Sequence, residues 1–324
     1  MDLPHILGFQ IEAPLFDDPF SNYYKAKHLK LNKPVWLRIL NNPKKSQIKE
    51  FQKQAENQSQ VNHPFVLSVL DMGQHEKLYY QTFQAVSGES IYQRFKRTQT
   101  VFDEKEALEI LLKLAELFEY TERKKLVHRA LSPRNIFLDE EGIKVHEFGF
   151  LLDPTVWFFQ PNSTTSPIYI SPEQANGVPP EQITVQSDIY SSGIILFHML
   201  AGRPPFDGSK LEIMGAHLKK ELPSANDLNS KLSEEVCQLL RQMTMKDPLE
   251  RFSTVKDLSI AIQQILDKTP LSLPVREKKI QDKESSSRSN KSTVPKTNRD
   301  AKIKETSIPT LIPTSIERPA VSIK

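Results

Sequence analysis

The chain has 324 residues, 38% hydrophobic and 26% charged, with a formal net charge of +3, a length that allows one large or two ordinary domains and a sizeable buried core. A single cysteine, Cys237, excludes a disulfide framework or a cysteine-based zinc site and fits a reducing compartment, while glycine, at 10 residues, is scarce against a usual share of about 7%. The longest apolar run, around Ile194–Leu200, is far short of the roughly 18 residues of a membrane span, and the start Met-Asp-Leu-Pro-His lacks the pattern of a secretion signal, so a cytoplasmic protein is expected.

Residues 8–40 alternate apolar and polar positions rich in β-branched and aromatic types, as in Ile11, Tyr23–Lys27 and Val35–Leu40, which predicts strands joined by hairpins. Ser46–Asn62 carries a weak helical face at Ile48, Phe51 and Ala55, and strands return at Phe65–Leu70 and Leu78–Val86. After Gly88 the character changes. Glu104–Arg123 has Ala107, Leu108, Leu111, Leu112, Leu114, Ala115 and Phe118 around most of its circumference, the mark of a buried helix. Two short strands, Ile136–Leu138 and Lys144–Val145, flank an Asp139–Gly142 turn, and a long loop follows to Glu173. Helical patterns then cover Val185–Ala201, Ser209–Leu218, Glu234–Thr244 and Val255–Leu266. A strand-rich first part and a helical second part imply two lobes with a cleft between them.

The last 56 residues differ in kind. From Thr269 to Lys324 twelve Lys and Arg stand against six Asp and Glu, a net of +6 that leaves −3 for residues 1–268. Rich in Ser, Thr, Lys and Pro and free of aromatics, residues 269–324 are expected to be a disordered tail, either simply solvated or touching an anionic surface or a partner. Nothing in residues 1–268 is basic enough to predict nucleic-acid binding.

Along the chain stand, in this order, Val127-His-Arg-Ala-Leu-Ser-Pro-Arg-Asn135, Glu147-Phe-Gly149, Ser166-Pro-Ile-Tyr-Ile-Ser-Pro-Glu173, Ser187-Asp-Ile-Tyr-Ser-Ser-Gly193, Met199-Leu-Ala-Gly-Arg-Pro-Pro-Phe206 and Lys246-Asp-Pro-Leu-Glu-Arg251. Together they resemble the eukaryotic-type (Hanks-type) protein kinases, and most closely their bacterial Ser/Thr branch. The resemblance covers about residues 7–268. It implies an α+β fold of two lobes, a small antiparallel sheet with one helix over about 7–86 and a larger, mainly helical lobe over about 88–268. It also implies a buried ion pair, Glu173 with Arg251, a backbone-binding Asp188 in the central helix, and packing roles for His128 and Phe148.

The same comparison implies that the phosphotransfer parts of the kinase template are altered. The three glycines of the phosphate loop fall on Phe16, Asp18 and Ser21, with Asp17 adding a second acid. The strand-three lysine is Arg38 and its helix partner glutamate is Gln54. The catalytic aspartate is Ala130 and the nearby lysine is Ser132, with Arg134 placed where some tyrosine kinases carry a compensating arginine. Asn135 and Glu147 stand at the metal-ligand positions. Around the adenine pocket the positions read Tyr23, Trp36 and Phe137, with Phe83 as gatekeeper. Either these rings fill the space of the purine, or Tyr23 or Trp36 turns outward. The apolar run Val156-Trp-Phe-Phe159 either packs back into the cleft or forms an exposed docking patch. Ser163, Thr164 and Thr165 are candidates for phosphorylation, with Arg129 placed as in kinases that bind a loop phosphate.

Three functions follow from the resemblance. The first is a pseudokinase, a scaffold or allosteric regulator of a protein partner such as an active kinase, with no cofactor expected. The second is a weak phosphotransferase using Mg and ATP through Arg38, Arg134, Asn135 and Glu147. The third is a nucleotide-binding switch without turnover.

Overall fold

The computed structural model describes residues 3–17, 21–140, 142–148 and 167–273. The tail beyond residue 273, the segment 149–166 with its Val156–Phe159 run and the hydroxyls of Ser163, Thr164 and Thr165, and Asp18 lie outside the described residues.

The first lobe is a five-stranded antiparallel sheet in the order β1-β2-β3-β5-β4, formed by β1 (Phe9–Asp17), β2 (Ser21–His28), β3 (Lys33–Leu40), β4 (Val69–His75) and β5 (Leu78–Gln84). Strand β3 is buried on both faces, and the alternation of side chains sorts its residues into two cores. Val35, Leu37 and Ile39 join Ile6, Phe9 and Ala26 on one side. Trp36 joins Tyr23, Leu67, Phe83, Val86 and Phe137 on the other. Ile6, one residue before the expected start of the domain, is fully buried.

Helix α1 (Lys45–Ser59) stops three residues short of the expected Asn62, because Gln60 N–H and Val61 N–H bond back to Asn57 and Gln58 carbonyls and tighten the last turn. The strand expected at Phe65–Leu70 begins only at Val69. The backbone just before it is committed elsewhere: Val145 N–H donates to the Phe65 carbonyl at 2.7 Å, and Leu67 N–H donates to the Val145 carbonyl at 2.9 Å. Val145 ends a second, three-stranded sheet, β6 (Glu89–Ser90), β7 (Ile136–Asp139) and β8 (Gly142–Val145). The connection between lobes passes Gly88, where a Cβ would stand 1.6 Å from the Leu138 carbonyl oxygen. Only glycine lets the chain run that close to β7.

The second lobe is helical. Helix α2 (Ile91–Thr98) was not expected from the apolar pattern, since Ile91 is its sole buried residue, and its start is set by a capping box between Ser90 and Gln93. Helix α3 (Glu104–Arg123) is capped by Asp103, which accepts from Lys105 N–H. A short helix α4 (Pro172–Ala175) holds Glu173, so the loop ends before that residue. Helix α5 (Val185–Ala201) is buried along nearly its whole length. Around it pack α6 (Lys210–Lys219), α7 (Glu234–Met243) and α8 (Val255–Leu266), and one continuous core links α3, α5, α7 and α8 and extends to the half-buried Leu271 and Leu273. No helix of the described residues is long and apolar enough to cross a membrane.

Candidate functional site

Between the lobes, the two sheets and α1 bring their side chains together in two layers, one aromatic and one polar. In the aromatic layer Tyr23, Trp36, Phe83 and Phe137 are 1%, 4%, 1% and 2% exposed. All four rings point inward. Trp36 from β3 and Phe137 from β7 meet edge to face at 4.8 Å between centroids, a favoured aromatic geometry. Phe16, at the first glycine position, stacks on Tyr23 at 4.3 Å and touches Trp36 at 5.8 Å and Phe137 at 6.0 Å. Phe83 packs on the His146 imidazole at 4.5 Å. Three of these rings, Phe16, Trp36 and Phe137, themselves border a cavity of about 560 Å³, whose wall is continued by Lys25 and by Ala85 and Val86 of the connection between the lobes.

The polar layer is organised by Arg38, buried at 3% exposure. Its Nε donates to Ser21 Oγ at 2.7 Å and its Nη1 to Gln54 Oε1 at 2.6 Å. Its Nη2 lies 3.7 Å from Glu147 Oε1. The guanidinium also stands 5.3 Å from the Tyr23 ring centre and 5.2 Å from that of Phe51. Gln54 thus holds the arginine through a neutral acceptor, with no counter-charge of its own, and its Nε2 is buried with no acceptor among the described residues.

One turn further along α1, Gln58 reaches the segment after β8. Its Nε2 donates to the Leu67 carbonyl at 2.6 Å and lies 3.2 Å from His146 Nδ1, and its Oε1 accepts from Glu147 N–H at 2.9 Å and, more weakly, from Phe148 N–H at 3.4 Å. His146 Nε2 is 2.8 Å from the Tyr23 hydroxyl. The imidazole is held well below its ordinary pKa, by burial first and then by the nearby Arg38 and His128. Neither Gln58 nor His146 was among the residues expected from the sequence.

The loop 128–135 is built on Asp188 of α5, which accepts from His128 N–H at 2.7 Å and Arg129 N–H at 2.9 Å. Burial pushes the Asp188 carboxyl up to about 6 against the pull of those two hydrogen bonds. Arg129 and Glu147 both adopt left-handed backbone, at φ 67° and 68°, which is uncommon outside glycine and persists only where surrounding contacts enforce it. His128 is held neutral by burial, its pKa lowered to about 4, and its Nε2 donates to the His146 carbonyl at 2.8 Å. Ala130 places a methyl group at the expected position of a base, and its carbonyl accepts from Asn135 Nδ2 at 2.8 Å. Asn135 Oδ1 accepts from Ser132 N–H at 2.9 Å, and its Nδ2 is 3.4 Å from Glu147 Oε2. Arg134 is exposed, with its guanidinium 3.8 Å from the centre of the Tyr92 ring. Among the described residues no three His, Cys, Asp or Glu side chains are placed to hold a metal ion.

Glu173 and Arg251 form a bidentate pair with both contacts at 2.9 Å. Arg251 also donates to the carbonyls of Met245, Gln186 and Lys246 at 2.8, 2.7 and 3.2 Å. Glu173 accepts in addition from the Ser187 hydroxyl. Gln174 of the same short helix donates to the Arg129 carbonyl at 2.7 Å, tying α4 to the 128–135 loop. Phe148 packs on the His128 imidazole at 4.6 Å.

Residues 19–268 match the profile of the protein kinase domain. The chain is similar to the serine/threonine-protein kinase PrkC of Bacillus subtilis, 32% identical over 266 residues that cover 80% of this chain and 40% of PrkC. It is 31% identical over 228 residues to a probable serine/threonine-protein kinase PknB of Lactococcus lactis, covering 68% of this chain and 36% of that protein. Over 288 residues it is 25% identical to the serine/threonine-protein kinase PknB of Mycobacterium tuberculosis, covering 84% and 44%. The chain therefore spans about two fifths of the length of these relatives.

Proposed function

The chain belongs to the protein kinase domain family, among relatives of the bacterial serine/threonine type, and from that premise we propose that it works as a pseudokinase, a scaffold or allosteric regulator that binds a protein partner without transferring phosphate. The observation that carries this reading is the Trp36–Phe137 contact at 4.8 Å. A planar base held between two side chains needs about 7 Å, two van der Waals contacts of about 3.5 Å. Trp36 and Phe137 therefore hold no purine between them as they stand, although both border the cavity of about 560 Å³ beside them. Phe16 on Tyr23 closes the same space from the phosphate-loop side.

The chemistry supports the reading independently. Phosphoryl transfer by a kinase rests on positioning and on stabilising charge, and general-base assistance contributes typically about 10²–10⁴-fold. Ala130 has no group to take a proton. The nearby carboxylate of Glu147 is engaged with Arg38 and Asn135, and the guanidinium of Arg134, which lies over Tyr92, is no proton acceptor. The working unit is the domain of about residues 7–268, joined at its start by Ile6, with 269–324 as a basic tail whose first residues, at Leu271 and Leu273, pack against the domain core. An active kinase is one suitable class of partner, and the tail is suited to an anionic surface.

A calorimetric titration of the chain with Mg·ATP is expected to give no binding heat, and millimolar Mg·ATP no rise in melting temperature. Restoring the acid by Ala130→Asp is expected to leave phosphate transfer to protein substrates undetectable. Transfer by the wild type that stops in Asn135→Ala would overturn the reading. One observation favours that second reading, a weak phosphotransferase using Mg and ATP: Glu147 remains within reach of both Arg38 and Asn135, at 3.7 and 3.4 Å.

A further inference from the structure

Helix α1 sends two buried glutamines, Gln54 and Gln58, into the space between the lobes. The first grips Arg38 of the first-lobe sheet; the second grips the 146–148 segment of the other lobe. The donors and acceptors around Gln58 leave one arrangement of protons. The Leu67 carbonyl can only accept, so Nε2 must face it, and Glu147 N–H can only donate, so Oε1 must face that. With the amide so oriented, an N–H of Nε2 points at His146 Nδ1, 3.2 Å away, which must then be the acceptor. The imidazole proton sits on Nε2 and is donated to the Tyr23 oxygen at 2.8 Å. A second proton on Nδ1 would set two N–H groups against each other, a geometric reason for a neutral ring beside the one burial gives.

The result is a chain of hydrogen bonds from β2, through His146, to α1 and on to the backbone of Glu147, whose left-handed conformation at φ 68° needs such a hold. The links through His146 and Gln58 Nε2 are buried and the one to Glu147 N–H is partly so, and a hydrogen bond broken in such a place is expensive. In a two-lobed protein that closes around a ligand, this coupling of helix to cleft would come from the ligand. Here side chains supply it.

We infer that Tyr23, His146 and Gln58 form a latch that fixes α1 against the 146–148 segment without a nucleotide, so that the surface offered to a protein partner is permanent. This rests on the reading of the chain as a non-catalytic binding protein, and it adds that the bound-ready shape has no ligand-controlled alternative.

Hydrogen exchange on the full chain tests it. In the wild type the Glu147 and Phe148 amides are expected to exchange slowly and at the same rate with or without Mg·ATP. In Gln58→Leu they should exchange about tenfold or more faster, while the α3 and α5 amides keep their protection. In Tyr23→Phe, which removes one oxygen and keeps the packing, a smaller acceleration of about threefold is expected at the same amides, with a shift of the His146 imidazole nitrogen resonances. Unchanged exchange of Glu147 and Phe148 in Gln58→Leu overturns the latch. Should that variant fail to fold, unchanged exchange in Tyr23→Phe does so. Mg·ATP that slows these amides in the wild type also overturns it, because the ligand then completes the coupling. Mg·ATP that binds by calorimetry yet leaves the exchange unaltered overturns the non-binding reading and leaves the latch standing.

Discussion

Arg251→Met is expected to lose about 3–5 kcal/mol of stability, the range for removing one partner of a buried ion pair. For a domain of this size that lowers the melting temperature by roughly 2–4 °C per kcal/mol. The magnitude follows from what is left behind. Arg251 is 1% exposed and donates five hydrogen bonds, two to Glu173 and three to backbone carbonyls. Its removal leaves those carbonyls without that donor and a carboxylate with the Ser187 hydroxyl but no counter-charge, in a buried place. The double variant Glu173→Leu with Arg251→Met is expected to recover part of the loss, because it withdraws the stranded charge as well.

The pH dependence of this loss has a definite sign. Burial raises the Glu173 carboxyl, but the hydrogen bond and charge of Arg251 and the Ser187 hydroxyl outweigh it and leave it below its ordinary value. A carboxylate with a depressed folded pKa contributes stability that is full above its unfolded pKa and is lost as pH falls through the folded one. In Arg251→Met the counter-charge is gone, burial dominates, and the folded pKa rises above the unfolded value. The wild type is thus expected to lose its advantage over the variant as the pH falls below the ordinary carboxylate range. Urea denaturation at neutral and acid pH measures the gap, and a gap that stays constant or widens at acid pH rules this account out.

Trp36→Ala carries the second large expected effect, about 3–5 kcal/mol. Trp36 is 4% exposed and in edge-to-face contact with Phe137 at 4.8 Å and with Phe16 at 5.8 Å. Its loss enlarges the cavity that it already borders, and the residues around it belong to β1, β2 and β5 and to β7 of the second sheet, so no single shift can close it. Millimolar indole, the missing side chain, is expected to raise the melting temperature of the variant in a concentration-dependent way, as mass action requires of a ligand for the folded state alone, and to leave the wild type unaffected. A loss under about 1 kcal/mol would mean that the site collapses or is loosely packed. Either that or the absence of indole rescue would remove the ring cluster as the closure of the cleft.

How much of this was legible beforehand depended on the kind of residue. Helices α3, α5 and α8 could be read to the residue, because α3 and α5 are apolar around most of their girth and Asp103 and Thr254 mark the starts of α3 and α8. Helix α2 was hidden because only Ile91 is buried. The strand expected at 65–70 was misplaced because Phe65 and Leu67 find their backbone partner at Val145, some eighty residues on, and no local pattern marks so distant a pairing. Motif order brought Arg38, Gln54, Ala130, Asn135 and Glu147 to one place. The same reasoning passed over Gln58 and His146, since a polar residue declares itself buried only through its partners. The one available sign was that Gln58 falls on the same face of α1 as Phe51, Gln54 and Ala55.

The two hydrogen bonds that Val145 makes with Phe65 and Leu67 have a topological consequence. The halves of the molecule are stitched by main chain at a seam separate from the covalent crossing at residues 85–89, so that crossing is not all that keeps them together. A polypeptide severed there would still present each half with its mate's exposed ladder edge, and the chain is accordingly suited to reconstitution from two fragments.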